Sequence, residues 1–94
     1  MDISRIEHGS KGAFIIKEGN QQLAEMTYSK AGDSLIIIDH TDVDDRLRGK
    51  GAGKKLVQTA VDWARAESKQ LMPLCPFARS VFDKTPEYSD VLAK

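Results

Sequence analysis

The sequence lacks an excess of charge of either sign. Fourteen Lys and Arg residues balance fourteen Asp and Glu residues, so the formal net charge at pH 7 is zero. Proteins that hold nucleic acid or anionic membranes through bulk charge carry a clear basic excess. We therefore expect neither a nucleic-acid partner nor a membrane partner.

Cysteine and long apolar runs are also scarce. The one cysteine, Cys75, cannot form an internal disulfide and is typical of a reducing compartment. Residues 1–5 lack the apolar core of a signal peptide. No apolar run exceeds four residues, as in Leu35–Ile38, whereas a membrane helix needs about 20. These absences predict a cytoplasmic protein.

The composition is that of one soluble domain. The chain has 94 residues, of which 40% are hydrophobic and 30% charged. A chain of this length buries only about 60–65% of its unfolded surface, which leaves no room for a second core. No repeat or long linker divides the sequence. We expect a single compact domain over residues 1–94, present as a monomer.

The first half of the chain has the pattern of a β-meander. An apolar run in 12–17 precedes a turn at 18–21, and residues 23–28 then alternate with period two. After a second turn at 31–33, the aliphatic run Leu35–Ile38 is typical of a strand buried on both faces. Three antiparallel strands are predicted here.

The second half changes to helical spacing. Apolar residues predict an amphipathic helix from about Gly51 to Glu67, followed by a fourth strand at Leu71–Cys75. Pro76 begins a short helix that ends before Thr85. Because strand–helix–strand crossovers are right-handed, the fourth strand should lie parallel to the third. The fold class is α/β (α+β), with a mixed four-stranded sheet and a short C-terminal helix.

Three glycines lie between the aliphatic strand and the long helix, in the segment Arg48-Gly49-Lys50-Gly51-Ala52-Gly53. A Walker loop would need Gly at position 48 and Ser or Thr at 55, where Arg and Lys stand. The dinucleotide pattern Gly-x-Gly-x-x-Gly also fails. The glycines still allow a sharp turn and close approach of a ligand, and a helix start attracts anions. A phosphate-bearing ligand is predicted.

The remaining pattern is Arg/Gln-x-x-Gly-x-Gly/Ala, filled by Arg48, Gly51 and Gly53. It resembles the acetyl-CoA pyrophosphate loop of the GNAT superfamily of N-acetyltransferases. The segments 39–43, 74–77 and 86–88 resemble the compact, single-domain branch of that superfamily, so the likeness covers about residues 36–92. In that fold the third and fourth strands diverge at their carboxyl ends, and the pantetheine arm enters the gap.

The resemblance implies acetyl-CoA as co-substrate and acetyl transfer to an amine of a small molecule or a protein. It implies pantetheine contacts to the backbone of Thr41 and Val43. It also implies that the loop binds the pyrophosphate through Arg48, Gly49, Lys50, Gly51, Ala52, Gly53 and Lys54.

Two residues at the strand ends are candidates for catalysis. Cys75 could accept the acetyl group as a nucleophile with His40 as its base, or it could be a small buried apolar residue. His40 could instead only shape the cleft. In the superfamily a tyrosine of the following helix often protonates the leaving thiolate, but Phe77 and Phe82 occupy that helix here. Tyr88 is the nearby substitute, although packing of the C-terminal segment explains it more simply.

The departures from the superfamily pattern leave an alternative open. Extra N-terminal helices that build an acceptor pocket in typical members have no counterpart in this sequence. A non-catalytic acyl-CoA-binding or interaction module is therefore the alternative to an enzyme. The acidic residues at 39–45 follow no EF-hand spacing, and Cys75 with two histidines fits no zinc pattern. No metal is expected.

Overall fold

The structure, a computed structural model, describes residues 2–93. Its regular elements alternate between strands and helices only in the second half of the chain. The strands are β1 (Ile3–His8), β2 (Lys11–Glu18), β3 (Gln21–Lys30), β4 (Leu35–Val43) and β5 (Gln70–Pro73). The helices are α1 (Ala52–Ala66) and α2 (Pro76–Lys84), with 3₁₀ turns at Asp45–Leu47 and Pro86–Val91.

All five strands form one sheet in the order β1-β2-β3-β4-β5. The first four are antiparallel neighbours, and β5 lies parallel to β4 after the crossover through α1. The predicted meander, crossover and mixed sheet are confirmed. The predicted number of four strands is wrong, because β1 adds a fifth at the edge.

Strand β1 is not predicted from the sequence because its residues show almost no alternation of apolar and polar side chains. Five of its six residues are exposed, and Ile3 is only half-buried. It is held by backbone pairing with β2 in register from Ile3 opposite Ile16 to His8 opposite Lys11. Strand prediction relies on the apolar alternation that burial imposes, and an edge strand of this kind does not need that alternation.

Helices cover one face of the sheet. On β4, Ile36 and Ile38 point to that face and are fully buried, whereas Leu35 and Ile37 are half-buried on the other. The prediction that this strand is buried on both faces is therefore wrong. No helix within residues 2–93 is long and apolar enough to cross a membrane.

The core lies between the sheet and the apolar stripe of α1. That stripe consists of Ala52, Gly53, Leu56, Val57, Ala60, Val61 and Ala64. Trp63 is partly buried at its edge, with its ring 5.7 Å from that of Phe14 and 5.3 Å from that of Tyr28. These contacts fix α1 across the strands that carry the aromatic residues.

Tyr28 joins the core to the edge strand. Its ring is buried, and its hydroxyl donates to Glu7 Oε1 over 2.6 Å and accepts from Arg5 Nη1 over 2.9 Å. The Arg5 guanidinium also lies 4.6 Å from the centre of the Trp63 ring. The ring of Tyr28 passes so close to Gly12 that no side chain fits there. A Cβ at that position would lie 2.3 Å from Tyr28 Cζ.

We predict that Gly12→Ala destabilises the fold by about 1–3 kcal/mol, the usual scale for overpacking a close contact. The added methyl group would also lie 2.8 Å from the backbone oxygen of Ile6, so β1 would be displaced together with Tyr28. Urea unfolding followed by Trp63 fluorescence measures the change. Ser10→Ala, at an exposed position of the same hairpin, is the control and should unfold like the unmodified protein. Equal midpoints for all three proteins would contradict the packing described here.

Candidate functional site

A bulge in β4 decides which side chains face the helices. Thr27 pairs with His40, whereas the next residue, Tyr28, pairs with Ile38, so that Asp39 is the extra residue. Side chains alternate along a strand, and one extra residue therefore reverses the faces beyond it. Past the bulge, Thr41 lies opposite Met26 on the helix-covered face, and His40 lies on the outer face.

The pairing between β4 and β5 ends next to this bulge. Their parallel pairing runs from Leu35 opposite Gln70 to Ile38 opposite Pro73. The backbone amides of Leu74 and Cys75 both donate to the Ile38 carbonyl, over 3.0 and 3.2 Å, and the chain then turns into α2. Strand β4 continues alone to Val43 on this side. A gap therefore opens beyond Ile38, as the predicted divergence of these strands requires.

The glycine-rich loop lies next to the end of β4 that borders this gap. After the 3₁₀ turn, Gly49 and Gly51 adopt φ angles of 78° and 70°, a left-handed conformation that favours glycine. Gly51 is the N-cap of α1, and it has no side-chain hydrogen bond to cap the helix. The amides of the first turn lack acceptors within a helix, so this end is suited to bind an anion.

These elements surround an open cavity of about 620 Å³. Every residue predicted to bind the co-substrate lies on its wall except Lys50. Two further residues, Leu47 and Phe77, complete the lining. Sequence signals for both existed: Leu47 is apolar within a charged stretch, and Phe77 follows the helix-starting Pro76.

Phe77 brings the two helices together at the cavity. A Cβ on Gly53 would lie 2.5 Å from Phe77 Cζ, so the ring lies directly against the backbone of the first turn of α1. The side chain remains partly exposed, at 39%. Gly53 therefore allows α2 to pack closely against α1, whereas Gly49 and Gly51 allow the left-handed turns of the loop.

The charges at the loop are exposed. Arg48 donates to Asp45 Oδ1 over 2.8 Å, with both side chains more than four-fifths accessible. Such a pair is weak in water, which leaves Arg48 able to contact an anion in the cavity. Arg46 points elsewhere, toward Asp44 at 3.0 Å and Gln21 at 2.7 Å.

Cys75 lies behind the cavity wall rather than on it. The residue is 4% exposed, and its thiol donates to Thr41 Oγ1 over 3.3 Å. Burial is the largest influence on the pKa of this thiol and raises it. Hydrogen bonding with the Thr41 hydroxyl and with the amides of Ala78, Phe77 and Thr41 acts the other way, and the pKa lies below its ordinary value.

The structure does not bring His40 to Cys75. His40 is exposed and, because of the bulge, lies on the opposite face from Thr41, the residue that contacts the thiol. The predicted Cys75–His40 pair is therefore corrected: within residues 2–93, the side chain that hydrogen-bonds the thiol is Thr41. His40 has no place in the cavity wall.

Tyr88 also lies away from this cavity. It lines a second one of about 370 Å³, which shares Lys54 and Phe77 with the first. Its ring is 5.9 Å from that of Phe82, in the packing role expected of it. Across residues 2–93, no group of three or more His, Cys, Asp or Glu side chains could hold a metal ion.

A glycine-rich turn that starts a helix beside two diverging parallel strands defines an α/β domain whose cavity is suited to a phosphate-bearing ligand with an elongated arm. The family described as GCN5-related N-acetyl-transferase matches residues 13–91. The chain belongs to this family, whose members transfer acetyl groups from acetyl-CoA.

Similar proteins are found in bacteria and vertebrates. Protein NATD1 of Xenopus tropicalis is 27% identical over 84 residues, which cover 87% of this chain and 77% of the relative. The solution structure of a GCN5-like protein from Staphylococcus aureus is 36% identical, with a TM-score of 0.74 and coverage of 96% and 87% of the two chains. A ribosomal-protein-alanine N-acetyltransferase of Brucella melitensis shares the fold at 22% identity, with a TM-score of 0.63 and coverage of 90% and 63%.

We predict that Gly51→Ala weakens acetyl-CoA binding by about tenfold or more. The methyl group would project into open space at the cavity wall, and the left-handed φ would be strained. Gly19→Ala is a matched control, because Gly19 has a φ of 60° with equally open surroundings but lies in the β2–β3 turn.

Both substitutions should lower the free energy of unfolding by a similar amount, about 1–2 kcal/mol. Only Gly51→Ala should change the dissociation constant in a calorimetric titration with acetyl-CoA. Equal affinities in the two variants would count against the loop as the binding element.

Proposed function

We propose that this protein is an acetyl-CoA-dependent N-acetyltransferase that binds its co-substrate in the 620 Å³ cavity and transfers the acetyl group to an amine. The observation that carries the proposal is the uncapped start of α1. It lies on the wall of a cavity that is also lined by Thr41 and Val43, in the part of β4 beyond its pairing with β5. Family membership supports the reaction type.

The pyrophosphate site is proposed at the loop. The first-turn amides of α1 and the positive end of the helix dipole favour negative charge. Arg48 and Lys54 on the cavity wall add two cationic groups. Because α1 has no acidic residue in its first turn, no carboxylate of the helix competes for this position.

The pantetheine site is proposed along β4. Beyond Ile38, no strand within residues 2–93 pairs with β4 on the β5 side, so backbone N–H and C=O groups face the gap there. An extended ligand with amide groups can pair with such an edge as an added strand would. Thr41 and Val43, which line the cavity, are the residues proposed to make these bonds.

Cys75 is proposed as the acceptor of the acetyl group. Its thiolate would attack the acetyl carbonyl carbon, forming a new carbon–sulfur bond as the bond to the CoA sulfur breaks, and CoA leaves as a thiolate that takes up a proton. A neutral amine would then attack the acetyl-cysteine, and the proton that the nitrogen loses would return to the Cys75 sulfur. The lowered pKa of the thiol and its position at the start of α2 support this role.

The alternative is a non-catalytic acyl-CoA-binding or interaction module. Two observations favour it: Cys75 does not line the cavity, and His40 lies on the other face of the sheet. Such a module would bind acetyl-CoA without consuming it. Direct attack of the amine on acetyl-CoA is a third route, and it would not need the thiol.

We predict that Cys75→Ala slows acetylation of an amine by at least about 100-fold. Removal of a group that acts in the transition state lowers reaction rates by about this factor. Its affinity for acetyl-CoA should stay within about twofold, because the thiol lies behind the cavity wall. Acetyl transfer to polyamines, free lysine and lysine peptides is measured by CoA release, and binding by calorimetry.

Mass spectrometry of the unmodified protein with acetyl-CoA alone should show one added acetyl group, absent in Cys75→Ala. Since the chain has a single cysteine, the modified residue is identified without ambiguity. Transfer that survives in Cys75→Ala would favour direct attack by the amine. Binding with no transfer in either protein would favour the module, and no binding at all would overturn the whole proposal.

A further inference from the structure

Thr41 lies next to both the cavity and the Cys75 thiol. It lines the cavity proposed for acetyl-CoA, and its hydroxyl is the side-chain partner of the Cys75 thiol at 3.3 Å. Cys75 itself is buried and absent from the cavity wall. Thr41 therefore connects the buried thiol to the cavity wall.

The Thr41 hydroxyl can form a hydrogen bond with the sulfur in both of its protonation states. In the thiol form Thr41 Oγ1 accepts from the sulfur. A hydroxyl carries one hydrogen of its own and rotates freely, so it can donate that hydrogen once the sulfur has ionised. A hydrogen bond donated to an anion is about twice as strong as one between neutral groups.

The other groups around the thiol cannot replace this one. The amides of Phe77, Ala78 and Thr41 also favour the ionised sulfur, but backbone groups cannot turn as a hydroxyl does. Burial and these hydrogen bonds are the main influences on the pKa of the thiol. His40 on β4, Lys54 on α1 and Arg79 on α2 are all exposed.

We propose that Thr41 is a positioning residue for Cys75: its hydroxyl holds the sulfur against the α2 amides and donates its hydrogen to the sulfur when the thiol ionises. The Asp39 bulge is what allows this, since it turns Thr41 rather than His40 toward the thiol. The importance of this contact for acetyl transfer rests on the proposed function. The contact itself can be tested without acetyl-CoA.

The test is the ultraviolet titration of the thiolate near 240 nm. It needs no reagent to reach a buried sulfur, and the single cysteine makes the signal specific. Subtracting the titration of Cys75→Ala removes the tyrosine contribution. Thr41→Val has nearly the same shape as threonine but lacks the hydroxyl. We expect it to leave a roughly tenfold smaller thiolate fraction at pH 7, because the pKa of Cys75 rises when a donor to the anion is lost.

Thr41→Ser should restore the titration of the unmodified protein. Thr27→Val is the matched control: it makes the same change on the neighbouring strand, where the Thr27 hydroxyl contacts the His40 carbonyl on the outer face. It should not move the titration. If Thr41→Val does not fold, Thr41→Ala carries the same expectation.

Identical titrations of the unmodified protein and Thr41→Val would overturn the proposal, whatever the acetyl-transfer activity. A shift in Thr41→Val that Thr41→Ser does not reverse would also overturn it, because a general packing defect would then explain the change. Conversely, a shifted and rescued titration in a protein that binds no acetyl-CoA would uphold the contact and reject the proposed function.

Discussion

One extra residue in β4 determines which of its side chains line the cavity. If the side chains alternated without interruption after Ile36 and Ile38, His40 would point toward the helices. Because Asp39 is inserted against β3, Thr41 and Val43 take those positions instead. A bulge leaves one residue without backbone pairing and changes which side chains of the strand line the cavity. The contact between Thr41 and Cys75 follows from this single irregularity.

Features that depend on sequence pattern could be predicted, and those that depend on backbone irregularity could not. The meander, the crossover and α1 follow from apolar spacing, and the loop follows from three glycines. The bulge at Asp39 has no comparable signal, and the predicted Cys75–His40 pair does not take it into account. Strand β1 was missed for a different reason, since it is held by backbone pairing and buries no side chain fully.

The candidate site shows the same division. The residues of the loop and the end of β4 were identified from motif and position, and they line one cavity apart from Lys50. The sequence places Phe77 in the short helix after Pro76, but it does not predict that the ring lies against Gly53 at the cavity. This contact joins two segments that are far apart in sequence, and neither segment alone indicates it.

The exposed edge strand has a consequence for the dynamics of the protein. Strand β1 buries little: Ile3 packs partly against the core and Arg5 lies over the Trp63 ring. Its other contacts are backbone pairing with β2 and hydrogen bonds of Arg5 and Glu7 with Tyr28 and Lys30. Segments with few buried apolar contacts open at a lower free energy than the global unfolding. The amides of β1 should thus exchange with solvent through local opening. When β1 detaches, β2 becomes the terminal strand, while the half of the sheet that carries the cavity stays folded.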